Sequence, residues 1–296
     1  AERVGGDWRR FWLGDGVIIH FIGADIIYHH CVFWPSLLKG AGYNVPWAVV
    51  ASGMVKVEGK VFSKSRGYVV WVEEDYLQNG LDPDCLRYYM VSYTGHTKDL
   101  DFSWRVYGRK VNDELVSILG NFIYRVLLFT HRNFGRIPRG RLEEEVRERI
   151  EKACRSMVSS LERFEFKKMA DAVMRLASFG NSYFQRYEPW KLIKEDREKC
   201  ANVLYNCLRI LKALAILMEP IMPGKAEKLW LQLNQGKPLS KVRFQEALED
   251  IEVDVEIPKP EILFRKVPKS VVERLARVVE ERVRKAEAER RKAKSG

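Results

Sequence analysis

The spacing of the apolar residues changes near residue 103, and this change limits what the chain can fold into. Before it, two short apolar runs, residues 16–19 and 47–52, lie on either side of one helical segment that begins near Asp25 and ends near Gly40. A strand, a helix and a second strand of these lengths predict a βαβ unit, the repeat of a parallel sheet. One such unit supplies only about half of a doubly wound sheet.

After residue 103 the apolar residues recur at helical spacing in four long segments. These segments are residues 111–134, 141–164, 166–187 and 197–223. In the first segment, one side of the helix collects Leu115, Leu119, Phe122, Ile123 and Val126. In the second, Glu143 and Arg147 have the spacing of a helical ion pair. Amphipathic helices joined by short loops predict an antiparallel bundle. A proline-rich stretch at 256–268 then predicts an extended strap across its surface.

Charge and cysteine usage limit the environment and the partners of the chain. It carries 51 Lys and Arg against 40 Asp and Glu, a net charge of +11 that favours a polyanionic partner, most often nucleic acid. The five cysteines form no C-x-x-C pair and predict reduced thiols without a disulfide frame or a zinc knuckle: Cys31, Cys85, Cys154, Cys200 and Cys207. The N-terminus lacks the apolar core of a signal peptide, and no apolar run approaches membrane-spanning length. We therefore expect a cytoplasmic protein with no membrane partner.

The stretch VEGKVFSKSRG, residues 57–67, is the first candidate for chemistry, and we call it the Lys64 loop. Its glycines allow the backbone to bend and to approach a ligand closely. Lys64 stands between Ser63 and Ser65, so a mobile charge is flanked by two small hydrogen-bond donors. That combination suits a triphosphate whose charge shifts toward a leaving group. On spacing alone, an ordinary basic surface loop is the favoured interpretation.

The helix DIIYHHCVFWP is the second candidate. His30 and Trp34 lie four residues apart and share a helix face with Ile26. An apolar wall with one imidazole and one indole suits a small apolar ligand, including a thioether packed against an aromatic ring. The alternative is that His30 is a hydrogen-bonded core histidine and that Trp34 contributes only packing.

A polar helix edge and a distant tryptophan form the third candidate. Asn121 and Arg125 are four residues apart and emerge from one helix face, while Trp190 follows Pro189 much later in the chain. Hydrogen-bonding side chains with an exposed indole can read unpaired bases by hydrogen bonds and stacking. Taken singly, a helix-surface pair and a half-buried tryptophan explain these residues as well.

These segments occur in an order that resembles the methionyl-tRNA synthetases, a family of class I aminoacyl-tRNA synthetases. The resemblance rests on HFIGADIIYHHCVFWPSLLKGAG, VFSKSRG, LDPDCLRYYM, DLDFSWRVYGRKVNDELVSILGNFIYR and YEPWKL. It extends from about residue 11 to about residue 268 and leaves the terminal basic helix outside. The basic residues from Arg282 to Lys294 are then most simply a solvated helix end, with a grip on tRNA or a docking handle as the functional alternative.

The resemblance implies a mixed fold, a partial α/β nucleotide-binding (Rossmann-like) half followed by an all-α antiparallel helix bundle. We assign the C-terminal half of the catalytic fold to residues 1–58 and the Lys64 loop with its connecting region to 59–105. The anticodon-binding bundle takes 106–245, and the strap with the basic helix takes 246–296.

The resemblance also implies three groups of site residues. The ATP-binding residues are Gly23, Asp25, Val55, Ser63, Lys64 and Ser65, where Lys64 matches the second lysine of the K-M-S-K-S signature and is the catalytic residue. The methionine pocket takes Ile26, His30 and Trp34. The anticodon readers are Asn121, Arg125 and Trp190. The implied substrates are ATP with Mg²⁺, methionine and tRNA(Met), and no zinc site is expected in this chain.

The chain departs from the family pattern in three places. Val61 stands where the signature has its first lysine and Phe62 where it has methionine, with Lys60 one position early. His29 replaces a residue that is usually aromatic. The H-I-G-H signature, the zinc-bearing insertion and the first half of the nucleotide-binding fold would all precede residue 1.

Two hypotheses follow from these departures. In the first, the chain is the C-terminal part of a methionyl-tRNA synthetase, either a subunit of a split enzyme or a truncated product. It would be inactive without an N-terminal partner chain that carries H-I-G-H. In the second, it is a non-catalytic tRNA-binding module derived from the anticodon-binding bundle.

Overall fold

The N-terminal region contains the expected βαβ unit. The computed structural model describes residues 5–93, 95 and 97–295. Its first elements are helix α1 (Trp8–Trp12), strand β1 (Ile19–Gly23), helix α2 (Trp34–Gly40) and strand β2 (Ala48–Ser52). Strands β1 and β2 pair in parallel, with Ile19 beside Ala48 at one end and Gly23 beside Ser52 at the other. The parallel pairing confirms the prediction from the apolar runs.

Strand β1 begins later than predicted. The sequence placed a strand at 16–19, but the N–H of Gly16 donates to the carbonyl oxygen of Arg10 at 2.8 Å. Residues 13–16 therefore form a turn that closes α1, and the strand begins at Ile19. A glycine that bonds back to the preceding helix cannot also extend the sheet ladder.

The helical segment between the two strands is built from three conformations. A 3₁₀ turn over Ala24–Ile26 leads to a π-helical turn over His29–Phe33 and then to α2. The segment ends near Gly40 as predicted, because the N–H of Ala41 donates to the carbonyl oxygen of Leu37 at 3.0 Å. The π turn changes which side chains share a face, and π turns are frequent near functional sites.

A second, three-stranded sheet carries the Lys64 loop. Strand β3 (Val55–Val57) lies between strand β4 (Lys60–Val61), which is antiparallel to it, and strand β5 (Leu100–Phe102), which is parallel to it. The β3–β4 turn has two residues with positive φ, Glu58 at 48° and Gly59 at 79°. These angles are those of a two-residue hairpin turn whose twist matches its strands. The hairpin directs the chain after β4 into the Lys64 turn.

Helices make up most of the remaining chain, in agreement with the predicted bundle. Helix α4 (Trp104–Lys110), the π-helical stretch Val111–Gly120 and α5 (Asn121–Asn133) follow one another without a break. The other helices are α3 (Pro83–Ser92), α6 (Glu144–Glu162), α7 (Phe166–Tyr187), α8 (Pro189–Glu195), α9 (Arg197–Met218), α10 (Pro223–Leu233) and α11 (Lys269–Ser295). The five apolar residues predicted to share one side of the first long helix are all at most 1% exposed.

The start of α6 differs from its prediction. Glu143 precedes the helix with extended backbone, and its carboxylate accepts a hydrogen bond from the Asn202 side chain at 3.0 Å. Its backbone N–H donates to the Asn206 side-chain oxygen at 2.9 Å. The predicted Glu143–Arg147 pair is wrong, and Arg147 approaches Glu144 at 3.4 Å instead. Fastening the α6 entry to α9 takes precedence over a weak surface ion pair.

Helix α9 is the central helix of the bundle. Within the described ranges 5–93, 95 and 97–295, it is the one helix long and apolar enough to cross a membrane, with mean hydropathy 1.4. The expectation that no apolar run approaches that length is therefore wrong. However, 89% of that apolar window is buried inside the protein. Other helices cover α9, and its composition is that of a bundle core.

The strap and the terminal helix lie across the junction between the sheets and the bundle. Ile257, Leu263, Phe264 and Val267 of the strap are buried, which confirms the predicted extended crossing. Helix α11 then packs on α4, where Arg105 and Glu273 form a two-point ion pair with N–O distances of 3.2 and 2.9 Å. The chain thus returns from the bundle to its first half.

We predict that Gly180→Ala destabilises the protein although alanine is the better helix former. A Cβ at Gly180 would lie 2.3 Å from the Phe122 ring, inside the bundle core. Alanine gains about 1 kcal/mol over glycine in a helix, and forced overpacking costs about 1–3 kcal/mol. We expect a lower midpoint in urea denaturation. Gly40→Ala is the matched control, because no described atom lies within 4 Å of its Cβ position, and an equal shift in both variants would contradict the prediction.

Candidate functional site

The Lys64 loop is closed by backbone hydrogen bonds. The N–H of Ser63 donates to the carbonyl oxygen of Tyr68 at 2.9 Å. Between them, a 3₁₀ turn over Lys64–Arg66 ends at Gly67, whose φ of 78° is left-handed. The Oγ atoms of Ser63 and Ser65 are 3.4 Å apart. Lys64 is exposed at the tip, so the turn presents a cation and two hydroxyls to solvent.

Trp71 lies beside Lys64 and was missed by sequence reasoning. The Lys64 Nζ atom is 5.2 Å from the centroid of the Trp71 ring, within the range of a cation–π contact. The two residues are seven apart in the sequence and meet only because the Ser63–Tyr68 bridge folds the chain back. Even on one face of a helix, residues seven apart are about 10.5 Å apart along the axis, so the sequence offers no local signal for this contact.

The proposed adenosine residues lie at strand ends. Gly23 is the last residue of β1, and a Cβ there would lie 2.7 Å from the Asp25 carboxylate. The absence of a side chain at Gly23 therefore lets Asp25 turn back over the strand end. Val55 begins β3, and its carbonyl oxygen accepts the N–H of Phe62 at 3.1 Å. Ligands of parallel α/β sheets bind at the carboxyl ends of strands, where Gly23 and Asp25 are.

The proposed methionine residues have aromatic partners that the sequence did not predict. His30 Nδ1 lies 3.0 Å from His20 Nδ1, with the rings edge to face. Trp34 packs edge to face against Trp12, with ring centroids 6.2 Å apart. Ile26, also assigned to this group, is half-buried. Helix and strand geometry predicted neighbours only within one element, whereas His20 is on β1 and Trp12 is on α1.

The His20–His30 contact constrains protonation. A hydrogen bond between two imidazole nitrogens needs one donor and one acceptor, so one proton serves both Nδ1 atoms. The pKa of His20 lies below its ordinary value because burial disfavours the charged ring and a charged His30 would repel it. The pair is therefore stable with His20 neutral, and His30 keeps its outer nitrogen for another partner.

A broad set of apolar side chains around these residues faces solvent. Among the residues that the structure describes, thirteen of the 25 exposed large apolar side chains lie before residue 48. The most exposed of them are Trp47 at 68% and Tyr28 at 65%. We call this the apolar face; its members on β1, α2 and the adjoining turns include Val17, Phe21, Ile27, Tyr28, Val32, Phe33, Leu37 and Trp47. A surface of this density is typical of an interaction site or of an incomplete core.

The structure brings Arg125 and Trp190 together on the bundle. The Arg125 guanidinium lies 5.7 Å from the Trp190 ring and 4.9 Å from the Phe184 ring. It also donates to the Gln185 side-chain oxygen at 3.3 Å. Asn121 is exposed one turn earlier on α5. Phe184 and Gln185 were not predicted, because they meet Arg125 only through the packing of α7 on α5.

The turn before α8 places Trp190. Glu188 has a left-handed φ of 42°, and Pro189 begins α8. Proline suits the first helical position because its missing N–H is not needed there. Trp190 is half-buried and packs against the bundle core, with its ring centroid 5.9 Å from that of Phe184. A fixed indole beside a guanidinium is a platform on which a base can stack.

The residues that the structure describes contain no group of three or more His, Cys, Asp or Glu side chains that could hold a metal ion. All five cysteines are free thiols. Burial raises the pKa of Cys154 and Cys200 to about 11 in each case, so these thiols stay protonated at neutral pH.

Comparison with known proteins defines the class. Residues 1–127 match the family model described as tRNA synthetases class I (M), and residues 137–287 match the model of the anticodon binding domain of methionyl tRNA ligase. Together with the strand-end and Lys64 geometry, these matches define a chain of a class I aminoacyl-tRNA synthetase. They also correct one expectation, because the second match continues into α11, which was placed outside the resemblance.

Individual relatives specify the family. The methionine–tRNA ligase of Methanosarcina mazei is 52% identical over all 296 residues, and that of Archaeoglobus fulgidus is 53% identical over 285 residues. The chain spans 41% and 43% of the lengths of these relatives. It belongs to the methionyl-tRNA synthetase family. The bundle and the nucleotide-binding half confirm the predicted fold class.

Solved structures of the family have the same fold. Methionyl-tRNA synthetase of Mycobacterium tuberculosis in its free state superposes with a TM-score of 0.76 at 24% identity, over 88% of this chain and 51% of that one. The same enzyme in complex with methionyl-adenylate gives a TM-score of 0.75 at 26% identity, over 87% and 51%.

We predict that acid destabilises the chain partly through His20. Because the pKa of folded His20 is lowered from 6.5, the unfolded chain binds more protons below that pH. This contribution to stability is complete above pH 6.5 and is lost as the pH falls through the lowered pKa. Thermal melts at pH 7.5 and 5.5 should therefore differ less in His20→Gln than in the unsubstituted chain. His29→Gln, at an exposed neighbour of His30, should leave the difference unchanged; an unchanged difference in His20→Gln would contradict the assignment.

Proposed function

We propose that this chain contributes part of the ATP and methionine sites, together with the anticodon-binding domain, to a methionine–tRNA ligase. One observation carries the proposal: a single chain presents both an exposed Lys64 on a closed signature turn and the Arg125–Trp190 stack on a helical bundle. The first suits a triphosphate and the second suits an unpaired base, and an aminoacyl-tRNA synthetase needs both.

The proposed reaction begins with ATP, supplied as its Mg²⁺ complex. The methionine carboxylate attacks the α-phosphorus in line, an O–P bond forms, the bond to the β-phosphate oxygen breaks, and pyrophosphate leaves. A hydroxyl at the tRNA end then attacks the aminoacyl carbonyl carbon, an ester bond forms, the anhydride bond breaks, and AMP and a proton leave. No covalent enzyme intermediate is needed, so catalysis comes from positioning and charge stabilisation. The M. tuberculosis relative is bound by methionyl-adenylate, the product of the first step.

In this proposal each site residue has a defined role. Lys64 stabilises the charge that moves onto the leaving pyrophosphate, and Ser63 and Ser65 donate hydrogen bonds beside it. Asp25 accepts hydrogen bonds from the ribose hydroxyls, and Gly23 lets the nucleotide approach the strand end. Val55 meets adenine through its backbone N–H. The exposure of Lys64 and Asp25 and the strand-end position of Gly23 support these roles.

The methionine site would be the wall formed by Ile26, His30 and Trp34. The His20 contact orients the His30 ring, and the Trp12 contact orients the Trp34 ring. A thioether packs well against such aromatic edges, and it needs little hydrogen bonding. The wall is open on one side, because Trp34 is exposed.

The CAU anticodon would meet Asn121, Arg125 and Trp190. In this geometry the indole stacks on one base while the amide and the guanidinium read hydrogen-bonding edges. The net charge of +11 supports attraction of tRNA(Met) at long range. We propose that this takes place in the cytoplasm, where the five free thiols would persist.

The apolar face supports a further partner, the remainder of the nucleotide-binding fold that carries H-I-G-H. Strands β1 and β2 form a sheet of only two strands, and a parallel sheet is normally buried under helices on both faces. The exposed side chains on β1 and α2 would pack against the missing strands and helices. The same apolar side chains would be covered whether these strands belong to the same polypeptide or to a separate one.

The first test is methionine-dependent ATP–pyrophosphate exchange. We expect the 296-residue chain alone to be inactive and to associate or aggregate, and the addition of an H-I-G-H-bearing half to restore exchange. Lys64→Ala in the reconstituted enzyme should lower kcat by about a hundredfold or more. Lys60→Ala, one position before the place of the first signature lysine, should have a much smaller effect. A monodisperse chain that is active by itself would contradict the need for a second half.

The rival function is a non-catalytic tRNA-binding module, and the exposed Val61 and Phe62 in place of the signature lysine and methionine favour it. Under that function, adding the second half restores no exchange, while tRNA binding persists and weakens steeply with salt. The exchange assay therefore separates the two functions without further variants.

The second test concerns anticodon reading. Trp190→Ala removes the stacking surface, so binding of tRNA(Met) should weaken by about tenfold or more, whereas binding of other tRNAs should change little. Trp47→Ala, which is exposed on the apolar face, is the matched tryptophan control in filter-binding measurements. Equal losses for all tRNAs in Trp190→Ala would show that Trp190 supports the fold and does not read the anticodon.

A further inference from the structure

The backbone of helix α11 lies directly against the end of the Lys64 turn. Gly67 is buried, and a Cβ there would lie 2.6 Å from the carbonyl oxygen of Arg282 and 2.8 Å from the backbone nitrogen of Val283. Its φ of 78° would also strain any other residue. Loop and helix therefore touch backbone to backbone, which corrects the expectation of a solvated helix end at Arg282 and Val283, whereas residues 287–292 are exposed as expected.

Arg282 also makes a two-point ion pair with Asp75. Its Nη2 atom lies 2.6 Å from Asp75 Oδ1, and Nη1 contacts Oδ2 of the same carboxylate. Asp75 is only 4% exposed. A buried carboxylate needs such a partner, because a lone charge at this depth would be strongly unfavourable. The Arg282 Nη1 atom also lies 3.5 Å from the carbonyl oxygen of Val69.

The Asp75 carboxylate also contacts Trp71, the residue that lies beside Lys64. Its Oδ2 atom accepts the backbone N–H of Trp71 at 2.7 Å, which fixes the start of the π-helical turn Val72–Tyr76. The Trp71 ring in turn lies 5.2 Å from Lys64 Nζ. A continuous set of contacts therefore joins Arg282, Asp75, Trp71 and Lys64.

We infer that Arg282 is a positioning residue for Lys64. Through Asp75 and Trp71, it holds the Lys64 loop in the conformation that receives the ATP phosphates, an inference that rests on the proposed function. Only one lysine of the signature is present at its place, since Val61 replaces the other. With only one signature cation present, catalysis depends more strongly on the position of that cation than it would with two. A misplacement of about 1 Å can cost about a hundredfold in rate.

Anchoring of the helix alone does not account for this ion pair. The Arg105–Glu273 pair already fastens α11 to α4, with N–O distances of 3.2 and 2.9 Å. Its partners are on two helices, whereas Asp75 belongs to the segment that follows the Lys64 loop. The two ion pairs on one helix therefore have separable roles, and each provides a control for the other.

The decisive experiment compares both ion pairs in the reconstituted enzyme. Arg282→Met should lower kcat of ATP–pyrophosphate exchange by about tenfold without changing KM for methionine, and Arg282→Lys should recover part of the loss. Glu273→Gln, which breaks the other ion pair, should leave kcat within about twofold. In a Lys64→Ala background, Arg282→Met should have no further effect, because residues that act as a unit are not additive.

A second readout needs no catalysis. In the reconstituted enzyme, amide hydrogen exchange at Trp71 should become faster in Arg282→Met than in the unsubstituted enzyme. It should not change in Arg284→Met, whose side chain is exposed two residues further along the same helix. Faster exchange at Trp71 supports the inference, because the Trp71 N–H is held by Asp75.

The outcomes separate the two proposals. If Lys64→Ala leaves exchange activity intact, the proposed function fails. If Lys64→Ala lowers activity but Arg282→Met does not, or if Arg282→Met and Glu273→Gln lower it equally, the positioning role of Arg282 is wrong and the proposed function stands. Unchanged amide exchange at Trp71 in Arg282→Met would also overturn the positioning role.

Discussion

Five aromatic side chains join the two halves of the chain, and the positions of the candidate sites depend on them. These are Tyr76, Tyr89, Phe102, Trp104 and Tyr107, each at most 4% exposed. The Tyr76 hydroxyl donates to the carbonyl oxygen of Asp82 and accepts from the Tyr107 hydroxyl, both at 2.6 Å. Burial raises the pKa of both phenols, so the hydroxyls stay protonated and both hydrogen bonds persist at neutral pH. Through this cluster, the segment after the Lys64 loop is fixed to α4, and α4 in turn carries the terminal helix.

Not all of the positive charge of the chain is available to a partner. Several of the cations counted in the +11 are buried and hold the fold together. Lys212 donates to the carbonyl oxygens of Glu249 and Asp250 at 3.1 and 2.7 Å, and its pKa is lowered by burial. Arg282 is engaged by Asp75 beside the Lys64 loop. The positive charge available to a polyanion is therefore smaller than the composition suggests, and Lys64 and Arg125 matter because of their position.

The buried side of a long helix and the pairing of neighbouring strands were predictable, whereas side-chain contacts between different elements were not. The buried side of the 111–134 segment followed from helical period alone, and parallel pairing followed from strand–helix–strand order. In contrast, Trp12, His20 and Trp71 became neighbours of Trp34, His30 and Lys64 only on folding. The strand at 16–19 was misplaced because the turn after α1 uses Gly16, a competition between neighbouring elements that a hydropathy pattern does not contain.

The sequence by itself determined the period of the helices and the glycine and serine content of the Lys64 loop, and the family resemblance then identified its one signature lysine. These are properties of residue type and spacing, which act over a few positions along the chain. The tertiary structure alone decided that α11 covers Gly67, that Arg282 reaches Asp75, and that Arg125 stacks on Trp190. Such contacts join residues 65 to 215 positions apart in these examples, and they form because the buried aromatic and helical cores leave each element one place to pack.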